Sequence, residues 1–136
     1  MQNTVSATVL AFAVSALHST AAQQTEPQSR TVAYITIVLS NFAFDPDHIL
    51  LKVGIPVRLH LVNESSGGHS FTAPGFFAAS SPERGFSIPS NGAVEVASHQ
   101  QVDIFVVPHA PGQYRLECTH FLHSVFGMHG TIEVGQ

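Results

Sequence analysis

Apolar and polar residues alternate along much of the chain beyond its first thirty positions. Val57, Leu59 and Leu61 share one face of the run Val57-Arg58-Leu59-His60-Leu61-Val62, while Arg58, His60 and Val62 share the other. Ile132 and Val134 alternate in the same way with Thr131 and Glu133. A period of two sends successive side chains to opposite faces of a strand, so these runs predict half-buried β-strands. Similar β-branched and aromatic runs, separated by Gly, Pro, Asn and Ser, predict strands near Thr31–Leu39, His48–Val53, Val57–Val62, His69–Thr72, Ala93–Ala97, Val102–Val107, Gln113–Cys118 and Thr131–Val134. No sustained helical period appears beyond the first thirty residues, so the helical crossovers of a parallel α/β sheet are missing. The expected architecture is all-β: an antiparallel Greek-key sandwich of about eight short strands. The stretch from Ala73 to Asn91 does not alternate and predicts a long excursion with one helical turn around Phe77–Ser80.

The start of the chain has a different pattern. Val9-Leu10-Ala11-Phe12-Ala13-Val14-Ser15-Ala16-Leu17 is uncharged and mostly apolar, and small residues follow through Ser19, Ala21 and Ala22. No Lys or Arg precedes the run, yet its length and small-residue tail predict a secretory signal peptide over residues 1–22, cleaved after Ala21 or Ala22. The run is about half of the ~20 residues that a bilayer-spanning helix needs, so stable membrane insertion is not expected after cleavage. Residues 23–30 then form a polar linker, and residues 31–136 one domain in a periplasmic or otherwise extracytoplasmic space.

Composition narrows this picture only slightly. A chain of 136 residues, 44% hydrophobic and 10% charged, builds one compact core, and a monomer is expected. With a formal net charge of −4 and no basic stripe, it lacks the phosphate-binding surface that a nucleic-acid partner requires.

The single cysteine changes the picture more. Cys118 has no second cysteine to pair with, and a free thiol in an oxidising compartment needs burial or a bound partner. It lies in Tyr114-Arg115-Leu116-Glu117-Cys118-Thr119-His120-Phe121-Leu122-His123-Ser124-Val125-Phe126-Gly127-Met128-His129-Gly130, where it forms the pattern Cys-x4-His-x4-Met with His123 and Met128. Met128 is the only methionine besides Met1. A thiolate and two imidazoles make a trigonal site, and a weak axial thioether completes a blue-copper donor set that suits both Cu(I) and Cu(II). The second imidazole must come from elsewhere. His69 is the best candidate, since it opens a short strand after the turn Ser65-Ser66-Gly67-Gly68, where Gly68 lets the backbone approach closely.

These residues carry a family resemblance. The tail Tyr-x-Leu-x-Cys…His…Gly-Met-x-Gly-x-Ile-x-Val is similar to the C-terminal strand, ligand loop and last strand of cupredoxins of the plastocyanin/azurin type. Asn41-Phe42-Ala43-Phe44-Asp45-Pro46 through Lys52-Val53-Gly54 resembles their early strands, so the resemblance covers most of residues 31–134. The length of the ligand loop resembles the rusticyanin and auracyanin branch more than plastocyanin. By this resemblance one copper ion is held by His69, Cys118, His123 and Met128. Many members have Asn directly after the first histidine ligand, whereas this chain has Ser70, which leaves the hydrogen bonding to the thiolate open.

Plainer readings stand beside this one. Cys118 could be a small buried hydrophobe or a catalytic thiol, and Cys with His also suits zinc, although a thioether adds little there. His48, His60, His99 and His109 are substitutes for His69, or ordinary surface and loop residues. His120 could replace His123, although a two-residue step on extended backbone brings two ligands awkwardly close. His129 is expected on the solvent side. Phe121, Leu122, Val125 and Phe126, with Pro74, Phe76 and Phe77, are core residues by default. Too many lie near one end for all to be buried, so some of them are expected to form an apolar collar around the edge of His123, where a redox protein partner docks. The expected function is that of a soluble single-electron carrier cycling between Cu(II) and Cu(I), and not an enzyme. The alternative is a periplasmic copper chaperone or copper-resistance protein, which the absence of Met-rich or His-rich runs disfavours. No His-x-His pair of the kind a trinuclear oxidase site uses is present.

Overall fold

The computed structural model describes residues 31–136, and the expected leader and linker lie outside them. Ten strands and one short helix follow in the order β1 (Ala33–Ser40), β2 (Ala43–Asp45), β3 (His48–Lys52), β4 (Val57–Asn63), β5 (His69–Thr72), α1 (Pro74–Ala78), β6 (Ser80–Pro82), β7 (Ala93–Val96), β8 (Gln101–Pro108), β9 (Gly112–Glu117) and β10 (His129–Gly135). They form two five-stranded sheets, β2-β1-β4-β8-β6 and β3-β10-β9-β5-β7.

The alternation read from the sequence becomes the core. β4 alternates buried and half-buried along its length, with Val57, Leu59 and Leu61 inward. Ile37 and Leu39 of β1 and Ile104 and Val106 of β8 join them from the same sheet. The facing sheet supplies Ile49, Leu51, Phe71, Val96, Leu116, Ile132 and Val134. Two apolar faces closing on one another remove both from water, at about 25 cal/mol for each Å² of apolar surface buried.

The expected all-β sandwich is what the chain forms, with ten strands near the expected eight, and the structure amends its details in three respects. The sheets are mixed, because β1 pairs with β4 and β3 with β10 in parallel. A sandwich permits this without helical crossovers: the chain leaves one sheet, runs through a strand of the other and returns in the same direction. Two three-residue strands, β2 and β6, were too short to show alternation, and they cap the two edges of the first sheet. The helical turn begins at Pro74 instead of Phe77, with proline at the start of the helix, where its missing N–H costs nothing. That helix turns Phe76 and Phe77 into the core, against Phe71 and Tyr114, and so removes them from the expected surface collar.

Candidate metal centre

Strand order brings the distant pieces together. β5 lies between β7 and β9, and its last residue, Thr72, pairs antiparallel with Glu117 at the end of β9. Continuing that antiparallel register sets Ser70 and His69 beside Cys118 and the loop that follows it. Fifty-four positions of sequence are bridged in this way: His69 Nδ1 lies 3.1 Å from His123 Nδ1. Cys118 Sγ is 3.4 Å from His123 Nδ1 and 3.9 Å from His69 Nδ1.

The loop from Thr119 to Met128 coils into successive turns, with N–H bonds from His123 to the His120 carbonyl, Phe126 to Leu122 and Gly127 to Ser124. Leu122 and Gly127 take left-handed backbone, with φ of 62° and 105°. The turn closes on itself where the Met128 N–H donates to the His123 carbonyl at 2.9 Å and the Met128 carbonyl accepts from the Cys118 N–H at 3.1 Å. Met128 is fully buried. Cys118 and His69 are buried as well, while His123 is half-exposed at the end of the sandwich. Gly130 is required just beyond: any Cβ there would run into the Asp47 backbone, whose carbonyl accepts the Thr131 N–H at 2.8 Å.

Ser70 occupies a node of this structure. Its N–H donates to Cys118 Sγ at 3.4 Å and its hydroxyl lies 3.8 Å from the same sulfur. The hydroxyl also accepts the Thr119 N–H at 2.9 Å and the Thr72 hydroxyl at 3.0 Å, and it lies 3.0 Å from Thr119 Oγ1. Serine therefore ties the strand carrying His69 to the start of the ligand loop, which answers the question its presence raised in the sequence.

Burial, followed by the neighbouring His123 and His120, holds His69 below the ordinary histidine range, so its ring is neutral near pH 7. Two imidazoles with a buried thiol, their atoms converging within 4.8 Å, are a donor set for a soft or borderline metal ion. A catalytic thiol would not need a second imidazole at the same point.

The other histidines are placed elsewhere. His120 Nε2 meets Glu95 Oε2 of β7 at 2.8 Å, and its ring stacks 5.5 Å from that of His123. It is also the neighbour of Gly68, where a Cβ would come within 3.3 Å of the His120 ring. His48 pairs with Glu133 at 3.2 Å and His60 with Asp103 at 2.8 Å. His99 and His129 are exposed, and so is His109, whose N–H donates to the Ala79 carbonyl.

Sequence reasoning missed Phe42. Its ring meets His123 edge-on at 5.3 Å and packs against Phe126 at 5.3 Å. Phe42 holds a φ of 63°, a left-handed conformation that a bulky residue adopts only when its surroundings enforce it. Its position in an Asn-Phe pair between two strands was the available signal. With Phe121, Leu122, Val125 and Phe126 it makes an exposed apolar rim, Phe121 being 88% and Val125 75% exposed.

A fold of two packed mixed sheets with a His-Cys-His cluster and a buried methionine at one end defines a class. The cupredoxin-like domain family model matches residues 5–134, and the chain belongs to that family. Among solved structures it is similar to an auracyanin from the photosynthetic bacterium Roseiflexus castenholzii, at 20% identity and a TM-score of 0.60, over 76% of this chain and 98% of that one. Auracyanin B is similar at 18% identity and a TM-score of 0.60, over 82% of this chain and 94% of that one. A multicopper oxidase from Campylobacter jejuni is similar at 12% identity and a TM-score of 0.59, over 82% of this chain but 31% of the oxidase. At these identities the likeness is one of fold. No curated protein matches the chain in sequence.

Proposed function

We propose that this protein is a type 1 copper protein that carries single electrons, with His69, Cys118, His123 and Met128 as the ligands of one copper ion. The observation that carries this reading is the convergence of His69, Cys118 and His123 within 4.8 Å, with the buried Met128 joined to Cys118 and His123 by backbone bonds. Bound copper supplies the one-electron Cu(II)/Cu(I) couple.

The chain's own residues prepare the place for it. Cys118, His69 and Met128 are shut away from water, which protects a thiolate from oxidation. Sulfur donors favour the reduced ion and the imidazoles accept either state, so a set held by the folded chain leaves little to rearrange between them. The loop is pinned at both ends by the bonds between Met128, Cys118 and His123, and at its start by Ser70. His123 alone of the four faces solvent, inside the rim of Phe42, Phe121, Leu122, Val125 and Phe126. A redox protein docking on that rim meets the His123 ring first, and a rim of this kind excludes water from the contact.

The auracyanin likeness supports a carrier, one of those structures being of a dithionite-reduced form. The oxidase likeness extends over less than a third of that longer chain. No helix among the described residues is long and apolar enough to cross a membrane. An extracytoplasmic site of action follows from the expected leader, and intact mass of the secreted protein should begin at Ala22 or Gln23.

Absorption and electron paramagnetic resonance spectra of the Cu(II)-loaded protein test the reading. An intense visible thiolate band with a narrow copper hyperfine splitting is expected. A colourless complex would exclude it in favour of zinc or another kind of copper site.

A further inference from the structure

Asn63 ends β4 and is 2% exposed as a residue, in a place where an amide must find every partner inside the protein. Its Nδ2 donates to the carbonyls of Gly67 at 2.8 Å, Val96 at 3.0 Å and Ala97 at 3.1 Å. Its Oδ1 accepts the Ser65 N–H at 2.9 Å and lies 2.8 Å from the Ser65 hydroxyl. The opposite orientation of the amide would set an NH₂ group against the Ser65 N–H and an oxygen against three carbonyls. Oδ1 is therefore an acceptor only.

This determines the Ser65 hydroxyl in turn. Besides Oδ1, its oxygen lies 3.0 Å from the Gly67 carbonyl, and both of these neighbours can only accept. The single hydroxyl proton is committed to one of them. The Gly67 N–H donates to the hydroxyl oxygen at 3.3 Å, and His69 Nε2 lies 2.8 Å from it. If the hydroxyl instead donated to His69, its lone pairs would face two oxygens at hydrogen-bonding distance with no proton between. Nε2 must carry the ring proton. A neutral imidazole has only one, so Nδ1 is left bare, and Nδ1 is the atom 3.1 Å from His123 Nδ1 and 3.9 Å from Cys118 Sγ.

We infer that Asn63 and Ser65 are positioning residues, a buried relay that selects the Nε2–H tautomer of His69 and so aims its Nδ1 lone pair at the metal position. As a role toward copper, this rests on the function proposed above. The relay also joins the end of β4, the 65–68 turn and β7 through one side chain, so the ring's tautomer and its orientation are set together. Partners of this kind typically change metal affinity about 10–100-fold when removed.

The test uses the full chain, labelled with ¹⁵N and free of metal, and reads the His69 ring nitrogens by NMR near neutral pH. The Nε2–H tautomer is expected in the native protein. Ser65→Ala should mix or invert the tautomers, weaken Cu(II) binding about 10–100-fold and shift the reduction potential, with the visible band retained. Ser65→Thr, which keeps the hydroxyl, should restore all three properties. An Nδ1–H tautomer in the native protein overturns the inference, as does a Ser65→Ala protein whose tautomer, affinity and potential match the native ones. Should Ser65→Ala fail to fold, the native tautomer decides the question alone. Because that readout needs no copper, it stands apart from the visible band that tests the functional reading.

Discussion

The Nδ1 atoms of His69 and His123 face each other at 3.1 Å, at the meeting of β5 with the loop that follows β9. In the metal-free protein one must donate to the other, and with the Ser65 relay assigning the acceptor role to His69, His123 is the donor. Metal binding would move that proton to His123 Nε2, so the proton that copper uptake is expected to release is the one on the Cys118 thiol.

The thiolate is the source of the expected colour. Cys118→Ser should abolish the visible band while leaving the fold intact, because serine fits the volume and the Ser70 N–H still finds an acceptor. Absorption and far-ultraviolet circular dichroism measured on the same sample check both halves of this statement.

The loop ligand can be told apart from its neighbour. His123→Gly should open the site at its half-exposed end and alter the spectrum, with added imidazole restoring it. His120→Ala, which removes a ring already engaged with Glu95, should leave the band nearly unchanged and shift at most the potential or the partner kinetics. The opposite outcome would assign the ligand to His120.

A carrier must keep its metal in both oxidation states, whereas a chaperone must give it up in one. Repeated reduction and reoxidation under dialysis should lose no copper, as measured by atomic absorption. Ready transfer of Cu(I) to an acceptor apoprotein would favour the chaperone instead.

The apoprotein should lose stability in mild acid. Burial, His123 and His120 lower the folded-state pKa of His69 below its ordinary value of 6.5. Between the two values the unfolded chain binds more protons than the folded one, so stability rises with pH across that window. The His69 contribution is fully present above about pH 6.5 and falls away as the pH drops through the folded-state value. Thermal melts of the apoprotein from pH 7.5 downward should show this decline, and His69→Gln should flatten it.

Phe42 carries backbone strain worth about 1–3 kcal/mol where its ring meets His123. Phe42→Gly should relieve the strain yet free the His123 ring. The expected result is a stability change of no more than about 1–2 kcal/mol, since the two effects oppose. Electron exchange with a partner should slow. A large loss of stability in chemical denaturation would show that the ring contacts outweigh the strain.

Much of this protein is legible along the chain because the signals are local. Alternation at Val57–Leu61 and at Ile132–Val134 marks faces that must be buried, whatever the order of the strands. Cys118, His123 and Met128 are close in sequence, and backbone bonds of Met128 with Cys118 and His123 close the chain between them into a short turn. Tertiary structure decided the rest. His69 is the best candidate among the nine histidines along the chain, but only the seating of β5 against β9 brings it to Cys118, and the same seating makes Ser70 a partner of that thiol. The parallel pairs β1·β4 and β3·β10, the burial of Phe76 and Phe77, and the contact of Phe42 with His123 join residues far apart in sequence. Side-chain period states which face of a strand turns inward but not which strand lies beside it, because neighbours are set by the packing of two whole sheets. The role of Asn63 belongs with these: a polar residue at the end of an apolar strand has no meaning by itself, and acquires one when β7 and the 65–68 turn close around it.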